Sequence, residues 1–216
     1  QAGADQRNGW GWGEPAFRDA VGEEHRATRE RAALFDMSSF GKIDMEGPDA
    51  LALLQRVAAN NVDQPVGRLV YTQFLNPRGG IETDLTIARM GEQRFRIITG
   101  TSSLPIDLGW LRLYRSPDED VAIEDVTERY GCLSLWGPRS RDILGRVTDH
   151  DLSNDGFPYL TSSDIEIAGV SLRANRVSFA GELGWELYPE RSDAVTLWAA
   201  LREAGTADGI RPAGYR

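Results

Sequence analysis

Between Gly67 and Met90 the hydrophobic pattern breaks and resumes around a polar cluster. The apolar-rich run Leu69 to Leu75 stops at Asn76-Pro77-Arg78-Gly79-Gly80, and an alternating run begins at Ile81. Two such runs about a Gly/Pro/Asn cluster predict a β-hairpin. In the second run a period of two puts Ile81, Leu85 and Ile87 on one face and Glu82, Asp84 and Thr86 on the other. Asp84 therefore points away from the packed side. By pattern alone it is either a solvated strand carboxylate or a group facing a cavity, and acidic side chains are mostly exposed.

The same reading extends along the chain. Residues 1–15 carry Trp10 and Trp12 among glycine and polar groups and form an arm. Pro15 opens a predicted helix reaching about Leu34, with Phe17, Val21 and Ala32 to Leu34 as its buried stripe and Arg26 paired with Glu30. A strand at Gly41 to Met45 leads through Gly47-Pro48 into a helix with Leu51, Leu54 and Val57 inward. Beyond the hairpin come a strand with Phe95 and Ile97 on one face, then a helix from Leu104 to Tyr114 with Leu108, Trp110 and Leu111 in the core. VAIEDVTERYGCLSLWG predicts two strands broken near Glu128. Strands at Asp164 to Ile167 and Val170 to Phe179 follow, and a helix from Ser192 to Glu203 buries Val195, Trp198 and Leu201 and closes at Gly205.

The pattern also repeats. GPDALALLQRV from Gly47 and GPRSRDILGRV from Gly137 share Gly, Pro, Leu, Arg and Val at a constant offset of 90 residues (54 against 144, 56 against 146, 57 against 147). Each copy follows a strand and opens a short amphipathic helix. The expected architecture is α+β: pseudo-duplicated strand–helix units, roughly 40–115 and 121–205, with mostly antiparallel sheets around a central cavity.

Composition narrows the chemistry. A chain of 216 residues with 41% hydrophobic and 26% charged residues can bury a sizeable core. The net charge of -9 argues against nucleic acid and anionic membrane as partners. One cysteine, Cys132, excludes an internal disulfide, and two histidines, His25 and His150, are too few for the usual zinc spacings, so no metal is expected. A reducing, cytoplasmic setting fits this usage. In its apolar strand Cys132 reads as an inert thiol.

ALFDMSSFGKIDMEGPDA, VGRLVYTQFLNPRGGIETDLTIAR, LWGPRSRDIL, LSNDGFPY, FAGELGWELY and the closing PAGYR together resemble the folate-binding aminomethyltransferase family, whose type member is the T-protein of glycine cleavage. Within it the chain is most similar to the folate-binding half of dimethylglycine and sarcosine dehydrogenases and oxidases. The resemblance spans about Trp10 to Arg216. It implies tetrahydrofolate as cofactor and one-carbon transfer during oxidative demethylation of a methylated glycine, or of glycine itself.

The family's catalytic aspartate falls on Asp84, its pterin-holding glutamate on Glu182, an aromatic residue of the strand before the glycines on Tyr71, and a cavity-lining position on Trp136. Phe179 stands where the family has tyrosine. The resemblance further implies a C-terminal barrel after PAGYR, so the chain reads as a fragment of 16–216 type folate-binding region without its barrel. FAD would belong to a domain absent from this chain, since no G-x-G-x-x-G follows a strand. Expected partners are the folate, an amine-derived one-carbon donor, a flavin domain or subunit, and a second copy of the chain. The alternative is a non-catalytic folate-binding protein of the same superfamily. Its members carry a K-G-C-x-x-G-Q-E type motif where this chain has FAGELGWEL.

Overall fold

The structure, a computed structural model, describes residues 17–214. The arm with Trp10 and Trp12, the helix start at Pro15, and Tyr215 and Arg216 of the closing motif lie outside the described residues. The strands are β1 (Ala33–Asp36), β2 (Gly41–Glu46), β3 (Leu69–Leu75), β4 (Ile81–Gly91), β5 (Arg94–Thr99), β6 (Ala122–Asp125), β7 (Leu133–Trp136), β8 (Ser162–Ile167), β9 (Val170–Asn175), β10 (Gly184–Pro189) and β11 (Arg211–Ala213). The α-helices are α1 (Arg18–Glu30), α2 (Ala50–Val57), α3 (Leu104–Tyr114), α4 (Ser140–Leu144) and α5 (Ala194–Ala204).

Two sheets carry the molecule. The first has the order β3-β4-β5-β2-β6 and the second β11-β1-β7-β10-β9-β8. The β1–β11 pair is parallel, whereas the hairpin β3–β4 and the ladders β4–β5, β2–β5 and β7–β10 are antiparallel. α2 and α3 pack on one face of the first sheet, and α4 and α5 on one face of the second. Ile43, Leu53, Leu54, Phe95, Ile97 and Leu111 belong to the first core, and Leu135, Ile143, Trp185, Leu187, Leu197 and Leu201 to the second. A third cluster of Met37, Ile98, Cys132, Trp136 and Tyr188 joins the opposite faces, because Ile98 comes from β5 and Trp136 and Tyr188 from β7 and β10. Functional groups that reach this middle layer belong to both sheets at once.

The repeated Gly-Pro motif has a backbone cause. Gly47 and Gly137 have φ of 144° and 133°, a region that favours glycine. A Cβ on Gly47 would stand 2.2 Å from the Asp120 carbonyl oxygen, and one on Gly137 2.6 Å from that of Arg31. In both copies the strand ends, turns through this glycine and enters a helix, α2 or α4.

Several local expectations are corrected. α1 stops at Glu30; Ala32 leads into β1, and Ala33 and Leu34 begin that strand rather than completing a helical stripe. A short apolar run fits a buried strand as well as a helix, and the ladder to β7 decides it. The residues α1 buries are Glu24, Ala27 and Thr28, and Arg26 pairs with Glu23, at 2.5 Å, rather than with Glu30. The two strands expected on either side of Glu128 are β6 and β7, and β6 pairs with β2, which puts them in different sheets. Val195 is 79% exposed and Leu197 takes its place in the core. Ile81 is exposed as well, beside the register shift between Phe74 and Leu75.

Candidate active site

Asn76 organises the hairpin turn. Its Oδ1 accepts from the backbone N–H groups of Arg78 and Gly80, both at 3.0 Å, while its Nδ2 donates to Glu82 at 2.7 Å. Gly79, at φ 78°, supplies the left-handed residue this turn requires. The turn fixes the register that pairs Tyr71 with Thr86 and Gln73 with Asp84. Leu85 and Ile87 are buried against the helices, so Asp84 projects from the other face. Tyr71 is its diagonal neighbour, and the phenol donates to Asp84 Oδ2 at 2.8 Å. This hydrogen bond to the carboxylate is the first cause of the upward shift of the Tyr71 phenol; lesser upward contributions come from burial and from the charge of Asp84.

Asp84 and Tyr71 line a cavity of about 260 Å³ between the sheets. Leu85, Ile98, Val177 and Phe179 give it apolar walls, and Glu186 of β10 faces it from the second sheet. No lysine or arginine lines it among the described residues. Lys42 is buried nearby, but its Nζ donates to the carbonyls of Ser38 and Phe40, at 3.0 and 2.9 Å, and burial lowers its pKa.

Glu186 was not anticipated. Only 7% of it is exposed, and the Tyr188 hydroxyl donates to its Oε2 at 2.6 Å. Burial pushes its carboxyl up to about 7, and the Tyr188 hydrogen bond opposes that rise. The signal was present in FAGELGWELY. Trp185 and Leu187 alternate with Glu186 and Tyr188, and all six positions of β10 are buried. Asp107 was also missed. It stands in the inward stripe Leu104, Asp107, Leu108, Leu111 of α3, is fully buried, and accepts from Thr99 Oγ1 at 2.5 Å. Burial raises its carboxyl to about 6, the hydroxyls of Thr99 and Thr83 oppose that, and the charge of Asp84 adds to it.

The other two expected site residues lie elsewhere. Trp136 lines a second cavity of about 450 Å³ with Phe35, Thr28 and Arg29, and its Nε1 donates to the Val177 carbonyl at 3.1 Å. Glu182 forms an ion pair with Arg29 at 2.7 Å on that side, and the same Arg29 nitrogen donates to the Ala180 carbonyl at 2.8 Å. Phe179 is a wall of both cavities. The structure thus brings Tyr71 and Asp84 together with Glu186, and sets Trp136 and Glu182 beyond Phe179.

Cys132 is fully buried, and burial pushes its thiol far above the ordinary range, as an inert core cysteine requires. Among the described residues no cluster of side chains could hold a metal ion, and no helix is long and apolar enough to cross a membrane.

Residues 1–216 match the family of the GCVT N-terminal domain. The 4-methylaminobutanoate oxidase (formaldehyde-forming) of Paenarthrobacter nicotinovorans is 40% identical over 207 residues, 95% of this chain and 25% of that protein. The mitochondrial dimethylglycine dehydrogenase of Homo sapiens is 36% identical over 202 residues, 91% of this chain and 23% of that one. The chain thus spans about a quarter of the length of these relatives. In fold it resembles the glycine cleavage system aminomethyltransferase T of Bartonella henselae, with a TM-score of 0.76 at 24% identity over 89% of this chain and 50% of the other. The matched family, the relatives and the two-sheet architecture converge: this chain belongs to the GCVT N-terminal domain family.

Proposed function

We propose that this chain is the folate-binding part of an enzyme that moves a one-carbon unit from an N-methylated amine, a methylated glycine or a related amino acid, to tetrahydrofolate. The observation that carries the proposal is the pair of unlike carboxylates, Asp84 and Glu186, on opposite walls of one cavity that no lysine or arginine among the described residues lines. The names of the relatives, an N-methyl amine oxidase and a dimethylglycine dehydrogenase, support the donor class.

The residues fit the folate. Apolar walls suit a flat ring, and a carboxylate offers two coplanar acceptors for the paired N–H donors of a pterin edge. Glu186 is placed for that edge. The cavity falls below the ~300–1,000 Å³ of sites that enclose a whole drug-sized ligand, so the remainder would extend past Phe179 towards Trp136. Glu182 then serves the outer part of the ligand through Arg29. When bound, tetrahydrofolate supplies the amine nitrogens that accept the one-carbon unit.

The protein's own contribution is orientation and charge. Asp84 stabilises positive charge that develops beside it and accepts a hydrogen bond from a ring amine. Tyr71, by donating to Asp84, holds that carboxylate at one rotamer. Phe179, without a hydroxyl, leaves the rim apolar and limits water. Oxidation of the amine, with its FAD, belongs outside this chain.

A folate-binding protein without transfer is the second reading, and Asp84 with its dedicated phenol partner argues against it. Incubating the protein that carries this chain with tetrahydrofolate and an iminium donor, and separating methylene-tetrahydrofolate from free formaldehyde, tests the choice. Transfer above the uncatalysed rate that Asp84→Asn removes supports the enzyme. Binding without transfer supports the alternative.

A further inference from the structure

Glu186 does not stand alone in its wall. The register places Ser134 of β7 and Asn175 of β9 beside it as direct cross-strand partners, and Phe35 and Ser162 extend the same row. Ser134, Asn175 and Ser162 are buried. Yet neither Ser134 Oγ nor Asn175 Oδ1 has a hydrogen-bond partner among the described residues. The one side chain that reaches the Glu186 carboxylate with a hydrogen bond comes from two residues along its own strand: Tyr188, 1% exposed, at 2.6 Å.

Tyr188 is itself held. Its ring packs with Met37, Ile98, Cys132 and Trp136 in the layer joining the sheets. On its far side it borders a separate cleft with Arg94, Arg96, Tyr130 and Arg173. Tyr188 therefore touches a charged cleft, which also holds Asp164, Glu166 and Glu190, on one side, while its hydroxyl reaches Glu186, a wall residue of the Asp84 cavity. Arg96 is taken up by Asp44, at 2.7 and 2.9 Å, and Arg173 by Asp164, at 2.7 Å. Neither guanidinium is available to Glu186.

We infer that Tyr188 is a positioning residue: from inside the wall its hydroxyl fixes the orientation and the proton balance of Glu186, and so sets the pH range in which the cavity grips the edge of its ligand. This rests on the folate reading for the identity of the ligand alone. The groups facing Glu186 are the Tyr188 hydroxyl on its own strand, the Cys132 thiol and Ser134 of β7, Asn175 of β9, and Asp84 and Tyr71 across the cavity. The thiol stays protonated. Among the described residues no cation faces Glu186 from the cavity, so the donated hydrogen bond is its chief local support there as an anion.

A phenol that donates to a carboxylate favours the charged form. Removing it leaves burial unopposed, and the carboxyl then ionises at higher pH. Tyr188→Phe deletes one oxygen and keeps the ring in its packing, so the fold is expected to survive.

The test is a carbon-13 NMR titration of glutamate-labelled protein between pH 5 and 9, with the Glu186 signal assigned through Glu186→Gln. The wild-type carboxyl is expected to titrate near 7. In Tyr188→Phe the midpoint should rise by about one pH unit, the scale of one hydrogen bond to a charged group. Tetrahydrofolate affinity should follow the same curves, with the variant binding about fivefold more weakly at pH 7 and nearly equally well near pH 9. An unchanged carboxyl midpoint overturns the inference, and so does a loss of affinity that is the same at every pH, which is the mark of mere packing. Should wild-type protein bind no tetrahydrofolate, the folate reading falls, while the carboxyl titration still decides the role of Tyr188. If Tyr188→Phe does not fold, the wild-type Tyr188 hydroxyl proton gives the answer: a downfield resonance moving with the Glu186 midpoint supports the coupling, and one indifferent to it overturns it.

Discussion

The two halves of the molecule use the same turn and deliver opposite carboxylates. In the first sheet Asp84 rises from a hairpin into an open rim, with Tyr71, 51% exposed, as its donor. In the second, Glu186 is enclosed in a strand buried along its length, with Tyr188 as its donor. Each is a carboxylate holding a tyrosine hydroxyl. What differs is solvation, and burial alone carries Glu186 up to about 7. Duplicated scaffolding fixes where side chains stand, and depth then gives Glu186 a carboxyl that can exchange a proton near neutrality.

The largest way to break this division is Asp84→Asn. It keeps size and one acceptor but removes the charge, so transfer to tetrahydrofolate should fall by roughly 10² to 10³-fold, as for loss of one preorganised electrostatic partner. Affinity should fall much less, because the interaction is made chiefly in the transition state. Product partition between methylene-tetrahydrofolate and formaldehyde measures it, and an undiminished yield would return Asp84 to a solvated strand carboxylate.

Next in size are Gly47→Ala and Gly137→Ala. Positive φ and a backbone oxygen at 2.2 or 2.6 Å from the added Cβ should cost each variant about 2–3 kcal/mol or more. Denaturant melts of both variants sharpen the claim of equivalence between the halves. A large loss in one and none in the other would end it.

Glu186→Gln should weaken tetrahydrofolate binding at pH 8 by about 2 kcal/mol, the range for a hydrogen bond to a charged group. It should also alter stability with a definite sign. The folded carboxyl, raised from 4.5 to about 7, retains a proton that the unfolded chain releases. Wild-type protein therefore loses stability as pH rises through that window, and the glutamine variant should escape this loss. Chemical melts at pH 5 and pH 8 show whether the difference grows with pH, as required.

Tyr71→Phe removes the donor to Asp84 from an exposed ring, so a loss of about tenfold in transfer with little change in affinity is expected. The smallest effect belongs to Glu182→Gln. Its partner Arg29 is 46% exposed, and pairs of that kind are worth ~0–1 kcal/mol. A loss in affinity as large as that of Glu186→Gln would shift the ring-holding role back to Glu182.

Periodicity made much of this legible. The hairpin, the span of α3, the Gly-Pro turns and the placement of Asp84 away from Leu85 and Ile87 follow from spacing that local physics dictates. Pairing partners did not. Ala32 to Leu34 carry no signal that separates the end of a helix from a strand, and only the ladder to β7 settles them. Nor did the sequence show that β6 crosses to the first sheet, since strand order depends on contacts far apart in the chain. Glu186 and Asp107 were hidden for another reason. A carboxylate within an apolar alternation looks like an interruption until the facing element is known, and the elements that face these two come from other parts of the chain.

The most direct measurement is the structure of this protein with a stable tetrahydrofolate analogue bound. The account predicts the reduced ring between the sheets, its N–H edge on Glu186 and its reactive nitrogens beside Asp84 and Tyr71. A ring seated instead against Trp136 and Phe35, with Glu182 and Arg29 at its edge and Glu186 untouched, would contradict it.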